Sequence, residues 1–394
     1  MPSENAQETT SQRAWTAGLS EAQLNVIEEL RQKREASLAR IPSRGGQQLP
    51  SALEATRLQP QAIAATLTEG ADSITELAHD LAKRPIQRWI AAGCGDSYFI
   101  ALAVRYAFEQ LTGLPFEAAQ ALEFSRYGSA RSSAKTPFFA ISSSGTVPRT
   151  LEALWLAQNQ GAPTIAVTNS PGSPLYEVAE HALTIRAGRP GPPTQSSTAA
   201  IAALLDLAIG LAAELGTRTS AQVDSLRREL HRMPELMRGV ISQCEEPMKA
   251  LAERLHGQSN INYVGAGPNW GTANFGYAKI REATWDHSMS WQTEEYDHEL
   301  TYQLPRGEPV FVVAPAGESY DRNAEIALAV HRDEGLLISI VTEGDERITA
   351  LSDVVVSIPQ VSEIFSPLLA VVPLQFFALQ LGMLKWGEAK GGVH

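Results

Sequence analysis

Two stretches of this 394-residue chain, WIAAGCG at residues 89–95 and NYVGAG at residues 262–267, each run an apolar strand into a Gly-x-Gly turn. A helical pattern follows both turns. An offset of 172 residues separates Gly95 from Gly267. A repeat of this kind, found at one fixed offset, is the first indication of a duplicated fold.

The same offset relates two further pairs of stretches. TPFFAISSSG at residues 136–145 corresponds to EPVFVVAPAG at residues 308–317, and after a small slip GAPTIAVT at residues 161–168 corresponds to GLLISIVT at residues 335–342. Three strands therefore recur in one order. The sequence predicts two similar halves related by an approximate two-fold axis.

Helical patterns at residues 150–160 and 322–334 lie between these strands. Alternation of strand and helix is typical of a mainly parallel sheet covered on both faces. We therefore predict two α/β domains, each a three-layer α/β/α sandwich. The predicted organisation is an N-terminal extension with one helix at 1–48, a first domain at 49–219, a connecting helix at 220–254 and a second domain at 255–394.

The composition excludes several classes of protein. A net charge of −12 without a dense Lys/Arg cluster argues against nucleic acid and membrane partners. Cys94 and Cys244 are the only cysteines, which favours a reducing compartment and offers no zinc spacing. The N-terminus has no secretory pattern, and the apolar stretch at 368–384 is interrupted by polar residues and predicts a buried helix. We expect a cytoplasmic protein.

A serine-rich turn is the candidate anion site. Ser142, Ser143, Ser144 and Thr146 follow a strand and precede a helix, where hydroxyls, backbone N–H groups and the helix dipole converge on one oxyanion. Ser97 follows the neighbouring strand. Serine and glycine also simply cap helices, so either loop alone decides little, whereas the pair favours anion binding.

The same loops also indicate which of the two copies binds the anion and whether the protein binds a dinucleotide cofactor. Residues 314–316 read Ala-Pro-Ala where the first copy has three serines, so we expect only the first copy to hold the anion. The third glycine of a dinucleotide fingerprint is replaced by Tyr98 and by Trp270. We therefore expect no NAD, no other cofactor and no metal.

Titratable residues concentrate between residues 279 and 299. A carboxylate near a histidine is the minimum needed to move protons on a sugar carbon and its ring oxygen. A solvated acidic face has the same composition. The pattern alone does not decide between these interpretations.

The ordered motifs resemble a known family, the tandem sugar isomerase (SIS) domain isomerases typified by the isomerase half of glucosamine-6-phosphate synthase. Sugar-phosphate deaminases and deglycases share its plan. The resemblance covers about residues 50–387. The motifs that carry it are QP at 59–60, CGDSY at 94–98, EF at 123–124, SSSG at 142–145, NSPGS at 169–173 and VPLQ at 372–375.

The resemblance implies roles for particular residues. Ser97 and residues 142–144 correspond to phosphate-binding positions. Glu282, in a Lys-x-x-Glu element, corresponds to the catalytic glutamate. His298, in a Glu-x-x-His element, corresponds to the ring-opening histidine. The family also commonly completes its sites across subunits, which implies a homodimer.

Three departures from the family pattern concern the sugar. Gln195, Ser196 and Ser197 stand where the family has a Ser-Thr-Lys element, and with Gly95 they are the candidate sugar contacts. Glu299 replaces the glycine that follows the family's histidine. Lys390, in a shortened tail, is a candidate substitute for the family's C-terminal lysine.

The resemblance implies an aldose/ketose isomerase acting on a phosphosugar through an enediol or enolamine. Three alternatives stay open at this point: an amino-sugar phosphate deaminase or fructosamine-6-phosphate-type deglycase, an isomerase of a sulfonated sugar, and a non-catalytic sugar-phosphate sensor. The serine loop recognises a tetrahedral oxyanion, whether phosphate or sulfonate.

Overall fold

The structure is a computed structural model that describes residues 18–39, 46–299 and 304–391, with side chains described as far as residue 387. Helix α1 (Glu21–Leu38) comes first, and its start is fixed by a capping box between Ser20 and Gln23. Its length matches the amphipathic helix predicted for the N-terminal extension.

Three helices and an alternating α/β unit follow. The helices are α2 (Leu49–Arg57), α3 (Gln59–Glu69), α4 (Ala71–Ala82), α5 (Asp96–Thr112), α6 (Ala121–Glu123, continued by short turns to Arg131), α7 (Pro148–Asn159), α8 (Pro174–Val178) and α9 (Gln195–Glu214). The strands are β1 (Trp89–Gly93), β2 (Phe116–Gln120), β3 (Phe138–Ile141), β4 (Thr164–Thr168) and β5 (His181–Thr184). All five pair in parallel, in the order β2-β1-β3-β4-β5.

The long helix α10 (Ser220–Arg254) leads into a second unit of the same design. Its helices are α11 (Pro268–Thr284), α12 (Thr293–Glu299), α13 (Tyr320–Arg332) and α14 (Ser366–Gly391). Its strands are β6 (Asn260–Gly265), β7 (His287–Gln292), β8 (Pro309–Ala314), β9 (Leu336–Thr342) and β10 (Val354–Ile358). They form a parallel sheet in the order β7-β6-β8-β9-β10.

The two sheets therefore share one strand order, and the predicted fold class is confirmed. Strands β1, β3, β4, β8 and β9 are buried along their whole length, as expected of parallel strands covered on both faces. Gly95 and Gly267 occupy equivalent positions before α5 and α11, with φ of 57° and 56°. Both have the positive φ that glycine adopts without strain. The domain boundaries given above remain our proposal.

One face of α11 packs on α5 of the first unit. A Cβ at Gly271 would lie 2.8 Å from the backbone nitrogen of Ala103, so the close helix crossing requires glycine there. One turn later, the Phe275 ring meets the Phe99 ring edge-on, with centroids 5.6 Å apart. This contact aims the C-terminal half of α11 at the carboxyl end of the first sheet.

Within the described residues, two helical segments are long and apolar enough to cross a membrane by composition alone, residues 195–214 and 363–387. In the fold they are 94% and 100% buried. They are core helices, as predicted for residues 368–384.

Candidate functional site

A cavity of about 440 Å³ lies at the carboxyl ends of strands β1, β3 and β4. This is where ligands bind in open parallel sheets. The residues of the predicted site that line it are Gly95, Ser97, Ser142, Ser143, Ser144, Ser196, Ser197 and Glu282. The fold thus brings the predicted anion loop and the predicted catalytic carboxylate to one space.

The serine turn is held in shape by its own hydrogen bonds. The Ser142 hydroxyl oxygen accepts from the Gly145 N–H at 3.2 Å, and the Ser143 hydroxyl donates to the Asn169 side-chain oxygen at 2.9 Å. Gly145 has φ of 63°, and a Cβ there would lie 1.9 Å from the Ser173 hydroxyl. Only glycine allows this turn, so the donors are placed before any ligand arrives.

Thr146 continues the turn into an adjoining cavity. Its hydroxyl donates to the Ser144 hydroxyl oxygen at 2.9 Å, and both residues line this second space of about 440 Å³. Thr146 therefore does not line the main cavity itself, but its hydroxyl is hydrogen-bonded to Ser144, which does.

The N-terminus of α9 supplies the candidate sugar contacts. The Ser197 hydroxyl donates to an Asp96 carboxylate oxygen at 3.3 Å. The Ser196 hydroxyl and the other Asp96 carboxylate oxygen are buried and have no hydrogen-bond partner among the described residues. The carboxylate oxygen can accept a hydrogen bond from a hydroxyl group of a bound sugar, and the Ser196 hydroxyl can donate or accept one. Gln195 is also buried, but it does not line the cavity.

Lys279 joins the two domains electrostatically. It is fully buried on α11, with its ammonium 2.8 Å from Asp96 and 2.5 Å from Glu282. Burial alone would lower the pKa of Lys279, but Asp96 and Glu282 outweigh that effect and raise it. Lys279 therefore stays charged and holds both carboxylates in place.

Glu282, unlike the fully buried Lys279 that it contacts, is partly exposed. Its side chain keeps 40% of its surface exposed. Desolvation of the carboxyl raises the pKa of Glu282, Asp96 raises it further, and Lys279 opposes both; the net direction is upward. A raised pKa moves a carboxylate toward the range useful for proton transfer at neutral pH.

Glu282 also faces a third cavity of about 470 Å³. That space is lined by Trp285 and Trp386, whose rings meet edge-on at 4.6 Å, and by the turn around Gly46. The Glu282 carboxylate thus stands between the cavity that contains the serine turn and one lined by aromatic rings. Room exists on both sides of it.

His298 lies away from these cavities within one chain. It is on α12 with 69% of its side chain exposed, and its Nε2 atom is 3.5 Å from Glu294. Arg322 pairs with Glu294 and Asp297 nearby. The structure therefore does not join His298 to Glu282 in a single subunit, and its role remains a proposal. The Lys390 side chain lies outside the described residues.

The structure adds cavity residues that the sequence did not single out. They are Asp96, Asn169, Arg34 from α1 and Arg189 from the segment before α9, with Lys279 buried behind them. The spacing of Lys279 and Glu282 on one helix face was visible in the sequence. No sequence motif pointed to the two arginines, because they lie in segments far from the motifs and reach the cavity only when those segments pack in the folded protein.

The corresponding loop of the second domain carries a carboxylate from elsewhere in the protein, Glu363. The Glu363 carboxylate accepts from the Glu318 N–H at 3.1 Å, and a Cβ at Gly317 would lie 2.3 Å from the Glu363 carboxyl carbon. An internal carboxylate thus lies against the second loop. Both loops line a cavity, of about 440 Å³ in the first domain and about 1070 Å³ in the second, so they differ in this carboxylate and in their hydroxyls.

The sequence profile of the SIS domain matches residues 84–210 and 254–384, one segment in each sheet unit. The chain belongs to the SIS domain family. The resemblance inferred from the motifs is confirmed.

Curated relatives place this SIS chain beside one class of protein. It is 31% identical over 316 residues to the glutamine–fructose-6-phosphate aminotransferase (isomerizing) of Thermus thermophilus, and 31% identical over 335 residues to that of Thermococcus kodakarensis. These alignments cover 79% and 84% of this chain but 52% and 54% of the relatives. The chain spans about half the length of the curated relatives it matches.

Solved structures show the same fold. The C-terminal domain of glucosamine-fructose-6-phosphate aminotransferase from Francisella tularensis superposes with a TM-score of 0.77 at 21% identity, covering 85% of this chain and 95% of that one. Tagatose-6-phosphate ketose/aldose isomerase from Escherichia coli gives 0.69 at 17% identity, covering 84% and 92%. At these identities the likeness establishes the fold of the SIS chain.

Proposed function

We propose that this SIS protein is a phosphosugar aldose/ketose isomerase. One observation carries the proposal: a single cavity has a preformed serine oxyanion loop in its wall and a carboxylate of raised pKa, held by a buried lysine, at its rim. Its volume of about 440 Å³ lies within the usual range for small-molecule sites. The relatives named above are consistent with a sugar phosphate.

Ser97 and residues 142–144 bind the phosphate in this mechanism, and Ser196 and Asp96 meet sugar hydroxyls. The Glu282 carboxylate removes a proton from the carbon next to the carbonyl, and the carbonyl oxygen gains a proton to give an enediol. Protonated Glu282 then returns its proton to the neighbouring carbon while the other hydroxyl loses one. Two protons move, and nothing is gained or lost overall.

His298 assists ring opening in the proposed assembly. In its protonated form, the imidazole can donate a proton to the ring oxygen as the hemiacetal opens. Because His298 is exposed and distant from the cavity in one subunit, we assign it to the site of the neighbouring subunit of a homodimer. The proposed setting is the cytoplasm.

A second candidate function has its own observation. The third cavity, beside Trp285 and Trp386, gives space beyond Glu282 for a substituent on the reacting end of the sugar. That space favours an amino-sugar phosphate or an amine-linked sugar phosphate, in which Glu282 moves a proton through an enolamine. The same carboxylate serves both reactions.

A substrate panel tests the proposal. The protein is incubated with hexose, hexosamine and amino-acid-conjugated sugar 6-phosphates and with matched sulfonated sugars, and products are detected by mass spectrometry and NMR. Interconversion of an aldose and a ketose phosphate supports isomerisation, and release of an amine or amino acid supports the second candidate. Binding without any product would contradict an enzyme and favour a sensor. Glu282→Gln should remove all turnover, whereas the exposed control Glu346→Gln should not.

A further inference from the structure

Helix α1 lies outside both segments matched by the SIS profile, yet it is anchored on the first domain. Ile27 and Leu30 are buried in one cluster with Leu154 and Trp155 of α7. The Asn159 side-chain amide also donates to the Gly18 carbonyl at the start of the helix. The helix is therefore a fixed part of the domain surface.

The anchored face of α1 continues to Arg34. Residues 27, 30 and 34 follow the i, i+3, i+7 spacing of one helix face. Arg34 consequently points where Ile27 and Leu30 point, toward the domain. It lines both the main cavity, with residues 142–144, and the adjoining one, with Ser144 and Thr146.

Arg34 differs from the neighbouring basic residues of α1 in its ion pairing. Arg31 pairs with Glu28 at 3.0 Å, and Lys33 pairs with Glu29 at 2.5 Å. Arg34 has no ion-pair partner within the described part of the chain. It is a cation kept free beside the serine turn.

Apart from Arg34 and Arg189, no cation among the described residues lines the cavity to offset the charge of a phosphate. Hydroxyls and N–H groups supply hydrogen bonds, but Asp96 and Glu282 add two carboxylates, and the Lys279 ammonium is taken by them. A phosphate monoester brings about −1.5 to −2 charges at neutral pH. Arginine matches phosphate geometry with two parallel hydrogen bonds. The cations that line the cavity are Arg34 and Arg189.

We propose that Arg34 binds the anionic group of the substrate, so that the N-terminal helix completes the oxyanion site of the first SIS domain. This inference rests on the proposed function for the identity of the anion. It adds to the serine loop a charged ligand from a helix that the SIS profile does not cover. Tight binding of the sugar phosphate then requires α1 as well as the SIS domains.

Calorimetry with inorganic phosphate tests the inference on the full chain. Arg34→Gln should weaken phosphate binding by about tenfold to hundredfold, the usual range for a lost charge-assisted contact. Arg34→Lys should retain part of the affinity. The matched control is Arg31→Gln, which removes from the same helix a cation that pairs with Glu28 and does not line either cavity, and which should bind phosphate as the wild type does. Thermal unfolding should show all three variants folded.

A second variant separates failure of this inference from failure of the proposed function. Ser142→Ala/Ser144→Ala should also lose phosphate binding. If this variant loses binding and Arg34→Gln binds at wild-type affinity, Arg34 is not a ligand and the serine site stands. If the serine variant binds normally, or the wild type binds no phosphate, the anion site itself is wrong and the Arg34 assignment with it.

Discussion

At the scale of single residues, the network from Asp96 through Lys279 to Glu282 decides the chemistry. Lys279 is fully buried, so its charge is stable only because the two carboxylates compensate for lost hydration. The same network leaves Glu282 with a raised pKa, because desolvation and Asp96 outweigh the pull of Lys279. Proton transfer by Glu282 should therefore have a characteristic pH dependence.

The pH dependence of kcat/KM should show this. Glu282 acts as a base in its carboxylate form, so the rate should rise as pH increases through its pKa, and the acid limb should lie above the ordinary carboxyl value of 4.5. Lys279→Met removes the group that lowers this pKa, so the limb should move to higher pH. Lys279→Arg should leave it nearer the wild-type position.

The measurement is a pH–rate profile of each folded variant with the best substrate of the panel. An acid limb that stays at one pH in the wild type and in Lys279→Met would contradict the assignment of the limb to Glu282. A stability readout accompanies it: loss of the buried ammonium should cost about 3 kcal/mol or more in unfolding free energy, because the Asp96 charge stays buried without its partner.

The sequence predicted individual residues unevenly, for physical reasons. Ser97, the serine turn and Glu282 follow short motifs at strand ends or on a helix, and the fold brings them to one cavity. Arg34 and the contact of Asp96 with Lys279 depend on which helices cross, which no local pattern specifies. His298 was chosen by resemblance alone, and a single chain places it on an exposed helix.

At the scale of elements, the two domains have equivalent strand–turn–helix loops, but different side chains lie against these loops. Both loops line a cavity, but the Glu363 carboxylate, at the turn before α14, lies against the second loop. The sequence showed that the second loop lacks hydroxyls. It did not show the carboxylate, because Glu363 lies 46 residues after Gly317 and reaches the loop only in the folded domain.

Removing this carboxylate should expose an anion site in the second domain. Glu363→Ala, made in the Ser142→Ala/Ser144→Ala background, should lower the melting temperature because the Glu318 N–H loses its acceptor. Added sulfate should restore part of the loss by binding at the freed loop. The serine variant with Glu363 intact is the control. Equal sulfate responses in the two proteins would show that the second loop has no anion-binding capacity.

At the scale of the whole molecule, the fold was the most predictable feature. The 172-residue offset predicted two parallel sheets of equal topology, and the strands of both sheets follow the same order. The crossing of α11 over α5 at Gly271 was not predictable, because it depends on a close approach between residues 168 positions apart. That crossing carries Glu282 of one domain to the cavity of the other.

Complementation between two variant subunits tests the assignment of His298 to the neighbouring subunit's site. If His298 acts in the neighbour's site, Glu282→Gln and His298→Ala subunits are each inactive alone. A mixed dimer then contains one site with both native residues, so coexpression should restore about a quarter of wild-type activity. No restoration in a preparation shown by sedimentation to be dimeric would place His298 in its own subunit or outside the mechanism.

The central claim is that Glu282 carries a proton between neighbouring carbons of a bound phosphosugar. Incubating the substrate in deuterated water and following the C1 and C2 hydrogens by NMR measures that step directly. The wild-type protein should exchange the hydrogen as it interconverts the sugars, His298→Ala should retain some exchange with an open-chain analogue, and Glu282→Gln should bind the substrate yet show no exchange. Exchange at the wild-type rate in Glu282→Gln would contradict the mechanism.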